Sequence, residues 1–323
     1  MLSTYLSANW IGSFLYSIIR ISTPLIFASL GACFTKKAGL MNMALESMML
    51  VSALTGVLAS AFSQNLIIGM LGAIAGALAV GGIICYCAFY LKTDLYLTSI
   101  SMNLASVGGT VFALYLICGQ KSNSAGILKS LSFPKIDIPI LQDIPIIGTA
   151  LSGHSILTYL AFLMVLVVYF VLNKTRIGLR ITASGENPNA VESVGISVRK
   201  IRTISFLLSS ILCGLAGAYM SMSYVNWFAR DMISGRGFIS MSATNISNAS
   251  PFLTCLCAML FGLSQATANA MQITNAPAEL VSALPYVATI IFVFSFAIIQ
   301  KQRAKAAKKK ILVKIQTEQA NDN

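Results

Sequence analysis

The chain has 323 residues, of which 56% are hydrophobic and only 10% charged, with a mean hydropathy of +0.79. Soluble domains carry about 25% charged residues, so this chain has too little charge to wet the surface of a soluble fold. Its net charge of +12 is concentrated at 174–202 and 301–314, beside apolar runs, which favours loops on the cytoplasmic side of a membrane over a nucleic-acid surface.

The apolar runs predict an all-α, polytopic transmembrane helix bundle. Candidate spans are 14–34, 42–62, 66–91, 95–118, 155–172, 204–225, 252–271 and 281–300. Each is long enough to cross the hydrocarbon at ~1.5 Å per residue. Residues 238–249 are apolar over only about half a span; Gly235, Gly237 and Pro251 bracket them, and Asn245, Ser247 and Asn248 interrupt their apolar face. A broken helix is expected there. Placing 173–203 and the basic tail inside requires one more crossing between 226 and 249 and leaves the N-terminus outside. The count is then about nine, within a range of eight to ten. One transmembrane domain over 1–300 precedes a basic cytoplasmic tail at 301–323. No basic segment precedes the first apolar run, so no signal peptide is expected.

Taken in chain order, the first polar feature is the stretch from Lys36 to Leu50, where Asn42, Glu46 and Met49 fall on one helix face. A carboxylate inside an apolar span costs roughly 2.5–3.5 kcal/mol on insertion scales, so Glu46 needs a partner or a water-filled path. It either lines a pathway or gate, or caps a neighbouring helix or pairs with Lys36, Lys37 or Arg20. Asn103 is an amide on a Ser-rich helix face, explained equally by interhelical bonding and by ligand contact. The loop 119–153, with Pro134, Pro139 and Pro145, reads as an ordered outward-facing loop. His154 stands at a helix start as a cap or interfacial group. Ser210, Gly214, Gly217 and Ala218 are spaced for close helix packing.

Between two spans, 178–200 carries a capped short helix. Asn187 is a suitable N-cap, Pro188 a suitable first helical residue, and Gly195 a left-handed stop. Two isolated turns are not stable in water, so this helix must dock on its own bundle or on a partner. The seven cysteines lie in apolar runs and read as buried small hydrophobes. One histidine cannot build a multi-His metal cluster, and no metal or cofactor is expected. There is no nucleophile–base pair and no G-x-x-x-x-G-K-[ST] phosphate loop. Any ATP-driven work needs a separate subunit. An intramembrane enzyme built on Glu46 or Asp94, and a channel, are the competing classes.

These segments resemble the permease subunits of ABC importers for nucleosides and simple sugars, in the branched-chain amino acid permease superfamily. The likeness is carried by Lys36–Met49, by residues 91–104, and by 178–200 with its 185–190 and 195–198 motifs. It continues through 232–239, 260–266 and 284–286, so that about 24–299 is covered. Ala44 and Ser47 replace two family glycines, and Ser247 and Ala249 stand where the family has Gly and usually Trp.

The resemblance implies an ABC importer permease fold and a transporter rather than an enzyme. Its implied partners are an ABC ATPase, a second and often nonidentical permease, an extracytoplasmic binding protein and the lipid bilayer of the cytoplasmic membrane. It implies that Gly185, Glu186, Asn187, Pro188, Asn189, Ala190, Glu192 and Gly195 couple to the ATPase within the loop 173–203. The substrate path is assigned to Asn42, Glu46, Asn103, Asn245 and Asn248, because neutral polyhydroxylated solutes need hydrogen-bond partners more than charges. Nucleosides are the first expectation and a pentose or hexose the second.

Overall fold

A computed structural model describes residues 8–137 and 147–271, together with Val287, Ile290 and Phe294. Among these residues, seven helices are long and apolar enough to cross a membrane. The expected span 281–300, the motif 284–286 and the tail 301–323 lie outside what can be described in full. The two ends of the bundle are distinguished by charge. One carries Lys36, Lys37, Lys92, Lys174 and Arg199, and is called the basic end below.

Helix α1 (Ala8–Lys37) runs through the middle of the bundle and has Lys36 and Lys37 in its last turn, where cations complement the helix dipole. Pro24 lies inside it. Proline has no N–H, so the carbonyl of Arg20 loses its helical partner. The Tyr219 hydroxyl donates to that carbonyl at 3.0 Å. Residues 38–44 are not helical, and α2 (Leu45–Ser63) begins only after them. Helix α3 (Leu66–Cys85) is capped by Asn65, whose side chain accepts from the Ile67 N–H at 2.9 Å, and it ends in a π-helical turn, Tyr86–Tyr90. In α4 (Leu95–Cys118) the N-cap is Asp94, which accepts from the Leu97 N–H at 2.9 Å. A capping role therefore accounts for Asp94.

The described residues of the expected loop 119–153 include strand β1 (Lys135–Ile136) and helix α5 (Ile147–Leu151), and strand β2 (His154–Ser155) just after it pairs antiparallel with β1. Pro139 and Pro145 fall outside the described residues. Helix α6 (Ile156–Lys174) then returns to the basic end. The segment expected as a connecting loop with one short helix contains two helices, α7 (Arg176–Glu186) and α8 (Pro188–Ser193). Helix α7 is amphipathic: Gly178, Ile181 and Ser184 are buried while Arg176 and Arg180 are exposed. Besides marking topology, its arginines form the polar face of a helix.

Helix α9 (Val198–Tyr219) ends in a second π-helical turn, Met220–Tyr224. Ser210, Gly214, Gly217 and Ala218 are buried on it, packed against α2 and α3 as their spacing suggested. Helix α10 (Arg236–Ile246) is the broken element expected near 238–249, and α11 (Pro251–Met271) follows. Helices α4 and α6 present Leu104, Phe112, Leu116, Leu163, Leu166 and Phe170 outward, as lipid-facing or subunit-facing helices do. Cys33, Cys85, Cys118, Cys213 and Cys255 are buried and all seven cysteines are free, in keeping with a packing role.

His154 is not the N-cap of the helix that follows it, where Ser155 takes that position; its ring meets a last-turn carbonyl of the preceding helix α5 instead. It is buried, its ring stacked on Tyr16 at 4.1 Å and met edge-on by Tyr159, with Nε2 2.9 Å from the Ala150 carbonyl oxygen. Burial, reinforced by the nearby Arg20 charge, holds this imidazole below its ordinary value of 6.5. The unfolded chain therefore takes up a proton that the folded chain resists, and stability falls as pH drops through 6.5. Apparent Tm of the detergent-purified protein, followed from neutral to mildly acidic pH, is expected to fall more for wild type than for His154→Phe. Parallel curves would contradict this role.

Candidate functional site

The site is organised around a helix that stops short. With eleven residues, α10 covers about half a membrane, and both its ends leave backbone groups without helical partners. At its start, Glu46 Oε1 accepts from the Gly235 N–H and Oε2 from the Gly237 N–H, each at 2.7 Å. Gly235 holds a left-handed φ of 79°, and a Cβ on Gly237 would lie 2.6 Å from the Glu46 nitrogen. At its other end, Lys36 Nζ donates to the carbonyls of Thr244 and Asn245 at 3.3 and 3.1 Å. An anion at the N-terminus and a cation at the C-terminus complement the helix dipole. Glu46 thus caps a neighbouring helix; Lys36 and Arg20 have carbonyl partners elsewhere.

The segment that feeds α10 begins at the far end. Ser124 N–H donates to the Phe228 carbonyl, Ser130 N–H to Asn226 and Arg230 N–H to Ser122, within 3.1 Å. From there the chain descends to Glu46, and α10 continues to Lys36 at the basic end. Residues 226–246 therefore link the two ends through an irregular half and a helical half. Left-handed φ values at Asn226, Asp231, Ser234 and Gly235 occur within this segment. Non-helical backbone at such depth survives only where protein supplies its hydrogen bonds or where it lines a cavity.

Two amides secure the non-helical turn opposite. Asn42 accepts from the Ala44 N–H at 2.9 Å and donates to Ser209 Oγ at 3.2 Å. Asn103 accepts from the Ser47 N–H at 3.1 Å and donates to the Met43 carbonyl at 2.9 Å. Asn42 and Asn245 also line one cavity of about 190 Å³ with Thr35, Lys36, Met241 and Thr244. Glu46 and Asn103 hold its surroundings from outside that lining. Asn248 is exposed beyond α10 with a left-handed φ of 50°, away from the cavity. Sequence reasoning missed Lys36, Ser209 and Thr244 as members of this cluster. The signal for Lys36 was a cation ending an apolar helix ahead of a glycine.

At the basic end, α8 has six residues, with Pro188 at its first turn and the Asn187 side chain accepting from the Ala190 N–H at 3.2 Å. Gly195, at φ 79°, ends it, and its N–H bonds to the Glu192 carbonyl. Glu186, Asn187, Ala190, Val191, Val194 and Ile196 form an apolar-floored concavity of about 370 Å³. Gly185 sits directly on the α1–α2 turn, where a Cβ would collide with the Lys37 carbonyl oxygen. Glu186, Asn189, Glu192 and Val194 face outward.

Residues 14–293 match the family described as the branched-chain amino acid transport system permease component. The chain belongs to this family. It is a multi-pass permease of the plasma membrane, a transporter subunit rather than an enzyme. Among curated relatives, the putative glucose ABC transporter permease TsgC13 of Haloferax volcanii is 28% identical over 91% of this chain and 94% of its own. The nucleoside ABC transporter permease NupC of Lactococcus lactis is 30% identical, covering 87% and 90% respectively. The guanosine ABC transporter permease NupQ of Bacillus subtilis is 31% identical, covering 76% and 78%.

For this permease, Glu46→Gln replaces a charged acceptor pair by one carbonyl and an NH₂ that faces the α10 N–H groups. The expected loss is about 1.5–3 kcal/mol for each charge-assisted bond, read as a lowered apparent Tm with uptake reduced at least about tenfold. Lys36→Met is expected to cost less, about 0.3–2 kcal/mol. Wild-type uptake and Tm in Glu46→Gln would exclude the cap as a structural requirement.

Proposed function

We propose that this permease is the membrane subunit of an ATP-driven importer that carries nucleosides inward. The observation that carries this reading is the similarity, over most of the chain, to permeases named for nucleosides and for guanosine. The cavity beside Asn42 and Asn245 supports it chemically. It offers amides, hydroxyls and carbonyls with Lys36 as its single charged side chain, a lining suited to neutral polyhydroxylated solutes. On this reading Asn42 and Asn245 line the path and Glu46 and Asn103 fix its walls, while Asn248 stands beyond it.

The same reading orients the molecule. The basic end and the tail 301–323 face the cytoplasm, and 226–246 and 281–300 are the seventh and ninth crossings, with α11 the eighth, of a domain spanning 1–300. A second, nonidentical permease completes the pathway, and an extracytoplasmic binding protein delivers the solute. The ATPase grips the helix Pro188–Ser193 together with Gly185, Glu186 and Gly195, and moves the α1–α2 turn through Gly185. A simple sugar is the second reading, favoured by the likeness to the Haloferax glucose permease across 91% of this chain.

Unlabelled nucleosides are expected to compete with radiolabelled guanosine for uptake by the reconstituted complex, while pentoses and hexoses do not. Uptake of a hexose without nucleoside competition would overturn the substrate assignment. Glu186→Arg and Pro188→Gly are expected to insert normally yet hydrolyse ATP without solute uptake. Wild-type uptake by both variants would remove the coupling role.

A further inference from the structure

At the end opposite α8, a polar cavity of about 440 Å³ lies between α1, the π-helical end of α9 and the β1–β2 pair. This volume is within the ~300–1,000 Å³ typical of small-molecule pockets. Two of its lining residues carry buried polar atoms with no hydrogen-bond partner, Ser223 Oγ and Asn226 Oδ1. An unpaired buried polar atom is costly, so such atoms mark places that something else completes. Asn226 is fixed in the wall by its backbone, at a left-handed φ of 63° and with its carbonyl bonded to the Ser130 N–H.

The opposite wall supplies donors. Arg20 Nη2 donates to the Tyr224 carbonyl at 2.7 Å, and the guanidinium lies 4.5 Å from the Tyr224 ring centroid. A guanidinium has five N–H groups, and among the described residues the cavity lining holds no carboxylate to take the others. Lys135 adds an ammonium. The hydroxyls of Tyr16 and Tyr219 are spent as donors on the Gly153 and Arg20 carbonyls, and the Tyr219 oxygen also has the Thr158 and Thr23 hydroxyls beside it. Cationic donors on one side, with an amide oxygen and a serine hydroxyl on the other, suit a neutral solute bearing both carbonyl or ring-nitrogen acceptors and hydroxyl donors. A simple anion would satisfy Arg20 but not Asn226 Oδ1.

We propose that this cavity is a receiving site for the nucleoside at the outer face of the permease, separate from the cavity beside Asn42 and Asn245. It rests on the nucleoside-import reading, and the experiment separates the two. Ser223→Cys is introduced into the complete transporter in proteoliposomes and labelled from outside with a membrane-impermeant maleimide, with wild type as the background control. Guanosine at ten times its Kd is expected to slow labelling about tenfold, since roughly nine-tenths of sites are then filled. Asn226→Leu, measured independently, is expected to raise the uptake KM about tenfold, or ~1.4 kcal/mol.

Guanosine uptake with no protection of position 223 and no change of KM in Asn226→Leu overturns the site and leaves the import reading standing. Uptake of, and protection by, a hexose alone overturns the nucleoside reading and leaves the cavity as the receiving site. Protection by inorganic phosphate and not by the carried solute, or a position that the maleimide never reaches, overturns the proposal.

Discussion

The structure depends on how an eleven-residue helix is held at both ends inside an apolar bundle. Unpaired helix termini are tolerated at a wet surface and are expensive away from water. Glu46 completes one end of α10 and Lys36 the other. These residues flank a single non-helical turn, so that the turn and the half-helix fix each other's position. Thr244 adds a bond from α10 to the Ser29 carbonyl of α1 at 2.9 Å. The polar groups of this region thus form one connected set rather than separate intrusions into an apolar core.

The same turn is where the segment at the basic end meets the bundle. Gly185 packs on Lys37 and Gly39 with no room for a side chain, and Ser205 Oγ donates to the Phe34 carbonyl at 2.6 Å. A displacement of α7 and α8 would reach Lys37 first, then the turn, then the ends of α10. Close-packed contacts of this kind have few intermediate arrangements. The far end is built differently. There Pro24 opens the backbone of α1, Tyr219 closes the gap, and the neighbouring cavity keeps polar atoms unpaired.

Much of the fold was legible in the residues. Seven of the expected spans correspond to long apolar helices, because a bilayer demands about 20 apolar residues and few charges. The short helix after Asn187 was legible from its cap, its proline and its glycine, all local signals. Helix α7 was not, because its basic residues carry topology and amphipathicity at once. His154 was legible only in part: a polar residue beside a helix start looks like its N-cap, whereas this ring bonds the helix before it and stacks on Tyr16, far away in sequence. Among the path candidates, Asn42 and Asn245 meet in one cavity, whereas Asn248 does not join them. Nothing local distinguishes Asn245 from Asn248; the left-handed turn after α10 does.

By itself the sequence determined the solvent of this protein, the places where its helices begin and end, and the need for some partner to Glu46. These follow from transfer free energy, capping chemistry and the cost of an intramembrane charge, which are properties of short stretches of chain. Only the tertiary structure decided which partner Glu46 takes, and that Lys36 balances it from the opposite end of the same helix. Gly235 and Gly237 are about 190 residues from Glu46 along the chain, and their N–H groups become available only because α10 breaks off beside it. Which backbone groups are left over is a result of packing, and the polar side chains of this bundle are placed to answer it.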